Sequence, residues 1–332
     1  MNDPILESGL ETEDYSDSGE RLNLDIPASA AGIRFDAALA SLLTDYSRSR
    51  LVRWIESGRV LLDGRVVAPK TKVWGGESVT VEIETDPQVQ AFQPEPVDFP
   101  VIYEDASLVV IDKPAGLVVH PAAGNWSGTL LNGLLYRYPD LAQLPRAGIV
   151  HRLDKDTSGL MVVARTLTAQ THLVRQLQAR SVTRLYLAVA QGRLNTDATI
   201  DRPIGRHPRD RLKMAVVEHG KPAITHYRVL MRYRNHTLVQ CKLETGRTHQ
   251  IRVHMQSIGH ALAADPVYGG RPPAVTSALA TVLQQFNRQA LHAAELALLH
   301  PDDGRLLGWK AELPTDMVTL LAALQADLEA ED

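Results

Sequence analysis

The stretch HRLDKDTSGL, residues 151–160, contains five ionisable side chains in its first six positions and lies between two apolar segments. Asp154 stands between Arg152 and Lys155, and a cation within about 4–6 Å favours the ionised form of a carboxyl group. A fixed, ionised Asp can act as a nucleophile or as a base. Asp156 precedes Thr-Ser-Gly, which is typical of a turn whose Asp accepts backbone hydrogen bonds. Taken alone, the stretch fits a turn, a catalytic Asp or a glycosidase-like carboxylate pair.

Motifs for other common chemistries are missing from the sequence. It contains no HExxH motif and no Cys pair, and His249 and His254 stand on different faces of a predicted helix, so no metal site is expected. GxGxxG after a strand, GxxxxGK[ST] and GxSxG are also missing, which argues against nucleotide and serine hydrolase sites. Cys241 lies in a strand pattern and fits a small buried residue. Aromatic residues make up only 5% of the chain, fewer than we expect for the sugar platforms of a glycosidase.

The elements that must position these residues are mainly strands. After residue 100 the pattern predicts strands on both sides of Glu104-Asp105 and a helix in TLLNGLLYRY. A strand GLMVVAR follows, then a helix AQTHLVRQLQAR capped by Thr168, and a strand VTRLYLAVAQG. Two further strands, AITHYRVLMRY and HTLVQCKLET, are expected to pair around Asn235, and a helix HQIRVHMQSI to end at Gly259. The predicted fold class is α+β with a mainly antiparallel, mixed sheet.

A smaller α+β domain is predicted ahead of this region, over residues 21–84. A helix is expected at 33–45, and Ser47 can cap a second helix, RSRLVRWIES, which Gly58 ends. Asp63-Gly64 between apolar runs predicts a hairpin. Residues 1–20 are acidic and lack periodicity, which predicts a disordered tail, and the prolines of residues 85–99 predict a linker. The second domain is expected to span residues 100–325.

The charge distribution points to a polyanionic partner. The net charge is −4, yet residues 1–20 and 311–332 together hold 13 acids and no Lys or Arg, which leaves 26 acids against all 35 bases between them. A basic body of this kind favours nucleic-acid binding. The N-terminus has neither the basic nor the apolar region of a signal peptide, no apolar run reaches a membrane span of about 20 residues, and the single Cys fits a cytoplasmic protein.

These segments resemble a known family. GIVHRLDKDTSGLMVVAR resembles the central motif of the RluA family of pseudouridine synthases. The other segments typical of that family follow in order: IDKPAGLVVHP (111–121), RLYLAVAQG (184–192), LETGRTHQIRVHM (243–255) and ADPVYGG (264–270). Residues 34–67 resemble an S4 RNA-binding domain. The resemblance covers roughly residues 21–310 and implies a pseudouridine synthase fold with an S4-like domain at its N-terminal side.

The resemblance implies roles for individual residues. Asp154 would be the catalytic carboxylate, Tyr186 would stack on the uracil, and Arg252 would pair with Asp154 inside the protein. Arg152 would fill the space that the extruded uridine leaves. Further substrate contacts are expected from His151, Arg247 and Leu262, and RNA contacts from Arg48, Arg50, Arg53, Arg206, Arg209 and Arg211. The reaction has no net redox change, so neither a cofactor nor a metal is expected.

The resemblance also implies a substrate. Uridines in the helix 69 stem-loop of 23S ribosomal RNA are the expected targets, in free RNA or in pre-50S particles, and the activity would contribute to ribosome maturation. The protein is expected to act as a monomer in the cytoplasm. Another ribosomal or transfer RNA site, or a non-catalytic RNA-binding assembly factor, are the alternatives.

Overall fold

The computed structural model describes residues 21–83, 91–122 and 124–330. The chain divides into two compact units, Met1–Val89 and Gln90–Asp332. The predicted acidic tail, residues 1–20, lies outside the described residues, as does the part of the predicted linker up to residue 90. No described helix combines the length and the apolar character that a membrane span requires.

Within residues 21–83, the first unit packs two α-helices on a three-stranded antiparallel sheet. The strands are β1 (Arg21–Asp25), β2 (Val60–Leu62) and β3 (Ser78–Glu82) in the order β1-β3-β2, and the helices are α1 (Phe35–Leu42) and α2 (Arg48–Glu56). Ser47 caps α2 by accepting a hydrogen bond from the Arg50 backbone N–H, as predicted. The core joins Phe35 and Leu51 from the two helices to Val81 of the sheet, all fully buried.

The predicted hairpin around Asp63-Gly64 forms only as a turn. Both residues have positive φ, as the turn requires, but the chain beyond them makes a single bridge, between Leu62 and Arg65. The Asp63 carboxylate instead accepts a hydrogen bond from the Ser78 backbone N–H. This contact directs the turn towards β3, which becomes the true partner of β2.

The second unit is built on one mixed sheet of nine strands. Its strands run in the order β4-β5-β6-β13-β7-β12-β11-β8, and β14 pairs with β13. They are β4 (Val101–Glu104), β5 (Leu108–Lys113), β6 (Ser158–Ala164), β7 (Thr183–Gln191), β8 (Ala198–Asp201), β11 (Ile224–Arg232), β12 (His236–Leu243), β13 (Leu291–Leu299) and β14 (Leu306–Lys310); β9 (Ile204–Arg206) and β10 (Met214–Val216) form a separate hairpin. All pairings but one are antiparallel, which confirms the predicted α+β architecture.

In the part of the second unit that the structure describes, the α-helices are α3 (Leu130–Arg137), α4 (Leu167–Gln178), α5 (Gln250–Ser257), α6 (Ser277–Phe286) and α7 (Thr315–Glu329). The predicted cap of α4 was wrong by two residues. Thr166, not Thr168, accepts the hydrogen bond from the Ala169 backbone N–H, because Thr166 has the extended backbone of an N-cap and the helix begins at Leu167.

Strand β13 joins the two halves of the sheet. It pairs in parallel with β6 through His292 and Ala293 and antiparallel with β7 on its other side. Gly159 of β6 lies opposite Ala293 with φ +114°, and a Cβ there would come within 2.3 Å of the Ala293 carbonyl oxygen. Only glycine therefore allows β6 to approach β13 this closely.

Candidate active site

The loop that contains Asp154 is fixed to β6 on one side and to a buried lysine on the other. His151 accepts a hydrogen bond at Nε2 from the Val162 backbone N–H, 3.1 Å away. Burial, followed by the charge of Arg184, lowers the pKa of His151 to about 3, so this ring is neutral at physiological pH. The Thr157 backbone N–H donates to the Asp154 carbonyl oxygen at 3.1 Å and closes the turn.

Lys113 anchors the same loop from beneath. Its ammonium group is fully buried and donates to the carbonyl oxygens of Pro114, Leu117 and Lys155, at 2.8–2.9 Å. Burial lowers the pKa of Lys113 to about 7, against the opposing charges of Asp156 and Asp154. In its charged form Lys113 therefore uses all three ammonium protons to tie the segment 113–117 to the segment that contains Asp154.

The predicted turn role of Asp156 was wrong. Among the described residues no backbone amide donates to its carboxylate, because the Asp154 carbonyl oxygen accepts the turn hydrogen bond instead. The Asp156 carbonyl oxygen accepts a hydrogen bond from Arg288 Nη1 at 3.1 Å.

Two carboxylates bind the guanidinium of Arg252. Its Nη1 donates to Asp154 Oδ2 at 3.1 Å, and its Nε and Nη2 donate to the two oxygens of Asp265 at 2.7 and 2.9 Å. The side chains of Asp154, Arg252 and Asp265 are 17%, 5% and 0% exposed. Burial alone would lower the pKa of Arg252, but the hydrogen bonds and charges of Asp265 and Asp154 raise it above its ordinary value. The arginine is therefore always charged and orients the more exposed carboxylate.

His249 and Tyr268 lie beside this ion pair. His249 Nε2 is 3.9 Å from Asp154 Oδ1, and His249 Nδ1 is 2.8 Å from the Tyr268 hydroxyl oxygen. Burial lowers the pKa of His249, although the charge of Asp154 opposes the shift. The Arg252 guanidinium also lies over the Tyr268 ring, 4.9 Å from its centroid, which stabilises a buried cation.

Gln250 fixes the loop that leads into α5. Its side-chain oxygen accepts hydrogen bonds from the Arg247 backbone N–H and the Thr245 hydroxyl. Its amide nitrogen donates to the Ile224 carbonyl oxygen and the Thr225 hydroxyl oxygen. The buried amide is thus fully satisfied, which places Arg247 at a fixed position on the cavity wall.

A cavity of about 760 Å³ opens above Asp154, which is large enough for a nucleoside-sized ligand. Tyr186 lies on β7 in its wall and is 6% exposed. Burial raises the pKa of its hydroxyl, so the phenol stays protonated. His151, Arg152 and Arg247 also line the cavity, and Arg152 is exposed, without a hydrogen bond or ion pair to any described residue.

Leu262 lies elsewhere. It is fully buried in the core and forms a bridge with Ala190, and it is not part of the cavity wall. The geometry therefore offers no support for its expected contact with the substrate.

The arginines expected to bind RNA differ in their surroundings. In the first unit, Arg48 donates to the buried carboxylate of Asp36 at 2.7 Å, the Arg50 guanidinium lies over the Trp54 ring at 5.1 Å, and Arg53 is exposed. In the second unit, Arg206, Arg209 and Arg211 are exposed on the hairpin between β9 and β10. Arg48 therefore also has a structural partner, whereas the hairpin arginines face solvent.

Three residues of the site received no role from the sequence: Lys113, Asp265 and Tyr268. Each stands in one of the segments that resemble the family, which was the available signal. Within the ranges that the structure describes, no group of three or more His, Cys, Asp or Glu side chains could hold a metal ion.

Family models match both units. The model described as RNA pseudouridylate synthase matches residues 107–257, and the model described as S4 domain matches residues 33–79.

Curated relatives match nearly the whole chain. A protein named ribosomal large subunit pseudouridine synthase D from Neisseria meningitidis serogroup B is 53% identical over 325 residues, 95% of this chain and 87% of the relative. Proteins of the same name from Nitrosomonas europaea and Escherichia coli O6:H1 are 55% and 51% identical, over 92% and 93% of this chain and 88% and 96% of the relatives.

Solved structures share much of the fold of this chain. Human RNA Pseudouridylate Synthase Domain Containing 1 is 25% identical with a TM-score of 0.53 and covers 73% of this chain and 90% of its own. Human RNA Pseudouridylate Synthase Domain Containing 4 is 26% identical with a TM-score of 0.54 and covers 68% and 93%. These matches confirm the fold that the resemblance implied.

Proposed function

Because this chain belongs to the RNA pseudouridylate synthase family, we propose that it converts uridine to pseudouridine in the RNA of the large ribosomal subunit. The family makes it an RNA pseudouridine synthase, and the curated relatives are named for the large ribosomal subunit. The S4 domain of the first unit and the exposed arginines of the β9–β10 hairpin supply surfaces for structured RNA.

We place the target uridines in the helix 69 stem-loop of 23S ribosomal RNA, the site that the resemblance in the sequence implied. The natural substrate would be free RNA or a pre-50S particle, and the protein would act as a monomer in the cytoplasm. Pseudouridine mapping across ribosomal RNA in cells with and without the gene tests this assignment. If the cells without the gene kept the pseudouridines of helix 69 and lost one elsewhere, another ribosomal or transfer RNA site would be favoured.

Asp154 is proposed to act on the ribose of the target uridine. The reaction breaks the bond between N1 and C1′, turns the uracil and joins C5 to C1′, so that the C5 proton is lost and N1 gains one. Arg252 holds Asp154 Oδ2, whereas Oδ1 accepts no hydrogen bond from a described residue. Oδ1 is therefore the atom available to attack C1′ or to remove a proton from the ribose.

Tyr186 and Arg152 are proposed to hold the uridine outside its helix. Extruding a base costs a few kcal/mol, and stacking on an aromatic ring returns about 1–3 kcal/mol. Tyr186 offers such a ring in the cavity wall. Arg152 is exposed at the same cavity, and its planar guanidinium can stack in the vacated position or bind phosphate.

The observation that carries the proposal is the Asp154–Arg252 ion pair at the cavity that Tyr186 lines. We expect Asp154→Asn to abolish pseudouridine formation on a helix 69 stem-loop while RNA affinity changes by less than about threefold, because binding relies on other groups. Tritium release from [5-³H]uridine RNA and a filter-binding assay measure the two quantities. Asp156→Asn is the matched control, since its carboxylate does not line the cavity. Residual turnover by the Asp154 variant would exclude this carboxylate as the essential group.

A further inference from the structure

Arg184 is a buried cation at the cavity, and no carboxylate of the described residues pairs with it. It is 7% exposed and lines the cavity. Its single hydrogen bond to the described residues runs from Nη2 to the Glu244 carbonyl oxygen, at 3.3 Å, and its Nε is buried without a partner there. Burying a charge is costly unless a counter-charge and hydrogen bonds compensate for it.

The carboxylates of the cavity wall are occupied by other cations. Glu244 accepts from Arg180 Nη1 at 2.6 Å and lies 2.7 Å from His226 Nε2, and Asp154 is bound to Arg252. Six arginines line the cavity (Arg146, Arg152, Arg180, Arg184, Arg247 and Arg252) against these two carboxylates. The wall is therefore short of negative charge, and Arg184 is its buried, unneutralised member.

Gly246 leaves space beside the guanidinium. A Cβ at this position would lie 2.9 Å from Arg184 Nη1, and the backbone of Gly246 does not have the positive φ that would itself require glycine. Nη1 donates no hydrogen bond to a described residue. The small residue thus keeps an open approach to a donor with free N–H groups.

We propose that Arg184 binds a backbone phosphate next to the target uridine. This inference rests on the proposed function, since it places the uracil against Tyr186. Arg184 and Tyr186 are two residues apart on β7 and face the same side, about 6.6 Å apart along the strand. Guanidinium groups bind phosphate through paired N–H donors, so the phosphate supplies the charge that Arg184 lacks.

The test uses stem-loop RNAs with one neutral linkage. A methylphosphonate replaces the phosphate on the 5′ or on the 3′ side of the target uridine. The nucleotide before the target carries a 2′-O-methyl group in every substrate, including the phosphate control. This group prevents its 2′-hydroxyl from cleaving the 5′ methylphosphonate. In the RNA with the 3′ methylphosphonate the target uridine keeps its 2′-hydroxyl, which can slowly cleave the linkage, so this RNA is used directly after synthesis. The variants are Arg184→Met, Arg184→Lys and Gly246→Ala in the full chain. Arg228→Met is the matched control, because Arg228 is exposed on β11 and does not line the cavity.

We expect one of the two neutral linkages to lower kcat/KM of the unaltered protein by about tenfold or more, the value of a charge-assisted hydrogen bond. Arg184→Met should lower kcat/KM on the all-phosphate substrate by a similar factor, mainly by raising KM. For this variant, the same methylphosphonate should lower kcat/KM by less than about twofold. Arg184→Lys should keep part of the response, Gly246→Ala should reduce it, and Arg228→Met should retain all of it.

A full methylphosphonate penalty in Arg184→Met, or no penalty at either linkage in the unaltered protein, would overturn the inference. If Arg184→Met fails to fold, the Lys and Gly246 variants decide, since an undiminished penalty in both also overturns it. Failure of the proposed function has a different signature: the unaltered protein would then form no pseudouridine in the all-phosphate stem-loop.

Discussion

Arg252 is shared by two carboxylates with different surroundings. Asp265 is fully buried and also accepts hydrogen bonds from the backbone N–H groups of Val267 and Tyr268. Asp154 is partly exposed at the cavity. Because Asp265 already neutralises the charge of Arg252, Asp154 can interact with a substrate without leaving an unpaired buried cation. We infer that Asp265 is a positioning residue for the pair.

Asp265→Asn tests this division at the residue scale. Removing one partner of a buried ion pair costs about 3–5 kcal/mol, so we expect the free energy of unfolding to fall by about that amount, with reduced turnover. Urea denaturation followed by circular dichroism measures the change. Lys310→Met, at an ion pair with Glu295 in which the lysine side chain is 77% exposed, should cost less than about 1 kcal/mol. Equal losses in the two variants would contradict the argument.

Of the two ion pairs of Arg252, the sequence predicted only the one with Asp154. The resemblance of HRLD and of the helix around Arg252 implied their ion pair, which the structure contains at 3.1 Å. Asp265 was not predicted, because a carboxylate in ADPVYGG can equally cap its own turn, and it does both. Spacing along the chain does not reveal that Asp265 contacts Arg252, 13 positions earlier.

At the scale of elements, the start of α4 offers a direct test. Thr166 is the N-cap of this helix, and Thr168, two residues on, is exposed in its first turn. We expect Thr166→Ala to lower the free energy of unfolding by about 1 kcal/mol, because a backbone N–H loses its partner. Thr168→Ala should change it by less than about 0.5 kcal/mol. The same urea titration compares the two, and a larger effect at Thr168 would contradict the observed helix start.

Elements with clear periodicity were predicted, and β13 was not. Its sequence, LHAAELALL, is rich in residues that favour helices, yet it forms a strand in the middle of the sheet. Pairing with β6 and β7 on its two sides supplies the hydrogen bonds that override this local preference. The partners stand more than 100 residues earlier, so no local pattern could reveal them.

On the scale of the whole molecule, buried histidines make stability depend on pH. Burial lowers the pKa of His151, His236 and His292 to about 3, 4 and 4, whereas in the unfolded chain it is about 6.5. Between these values the unfolded chain binds protons that the folded chain does not, so stability is complete above about pH 6.5 and is lost as the pH falls towards 4.

Each histidine should contribute a slope of about 1.4 kcal/mol per pH unit. We therefore expect the free energy of unfolding of the second unit to drop by several kcal/mol between pH 7 and pH 5, measured by urea denaturation. His236→Gln should reduce the slope by about 1.4 kcal/mol per pH unit, and His219→Gln, at an exposed position, is the matched control. A flat profile in the unaltered protein would rule out this account.

The two units also predict a division of labour. We propose residues 21–84 as the S4-like RNA-binding domain, 85–99 as the linker and 100–325 as the catalytic domain. Removing residues 1–84 should weaken RNA binding or blur the choice of uridine but preserve turnover of a minimal stem-loop, because every residue of the cavity wall lies beyond residue 118. A truncated protein that is folded yet wholly inactive on the stem-loop would refute the division.

The position of β13 has a consequence for biosynthesis. During translation, β6 and β7 are synthesised long before β13, the strand that lies between them. Ser158, for example, hydrogen-bonds to His292, which follows 134 positions later. Until then both half-sheets present open edges, which chaperones or neighbouring chains can capture. A messenger truncated before codon 291 would encode every arginine and aspartate of the cavity but not β13. We therefore expect its product to aggregate through the open strand edges and not to fold into an enzyme of reduced activity.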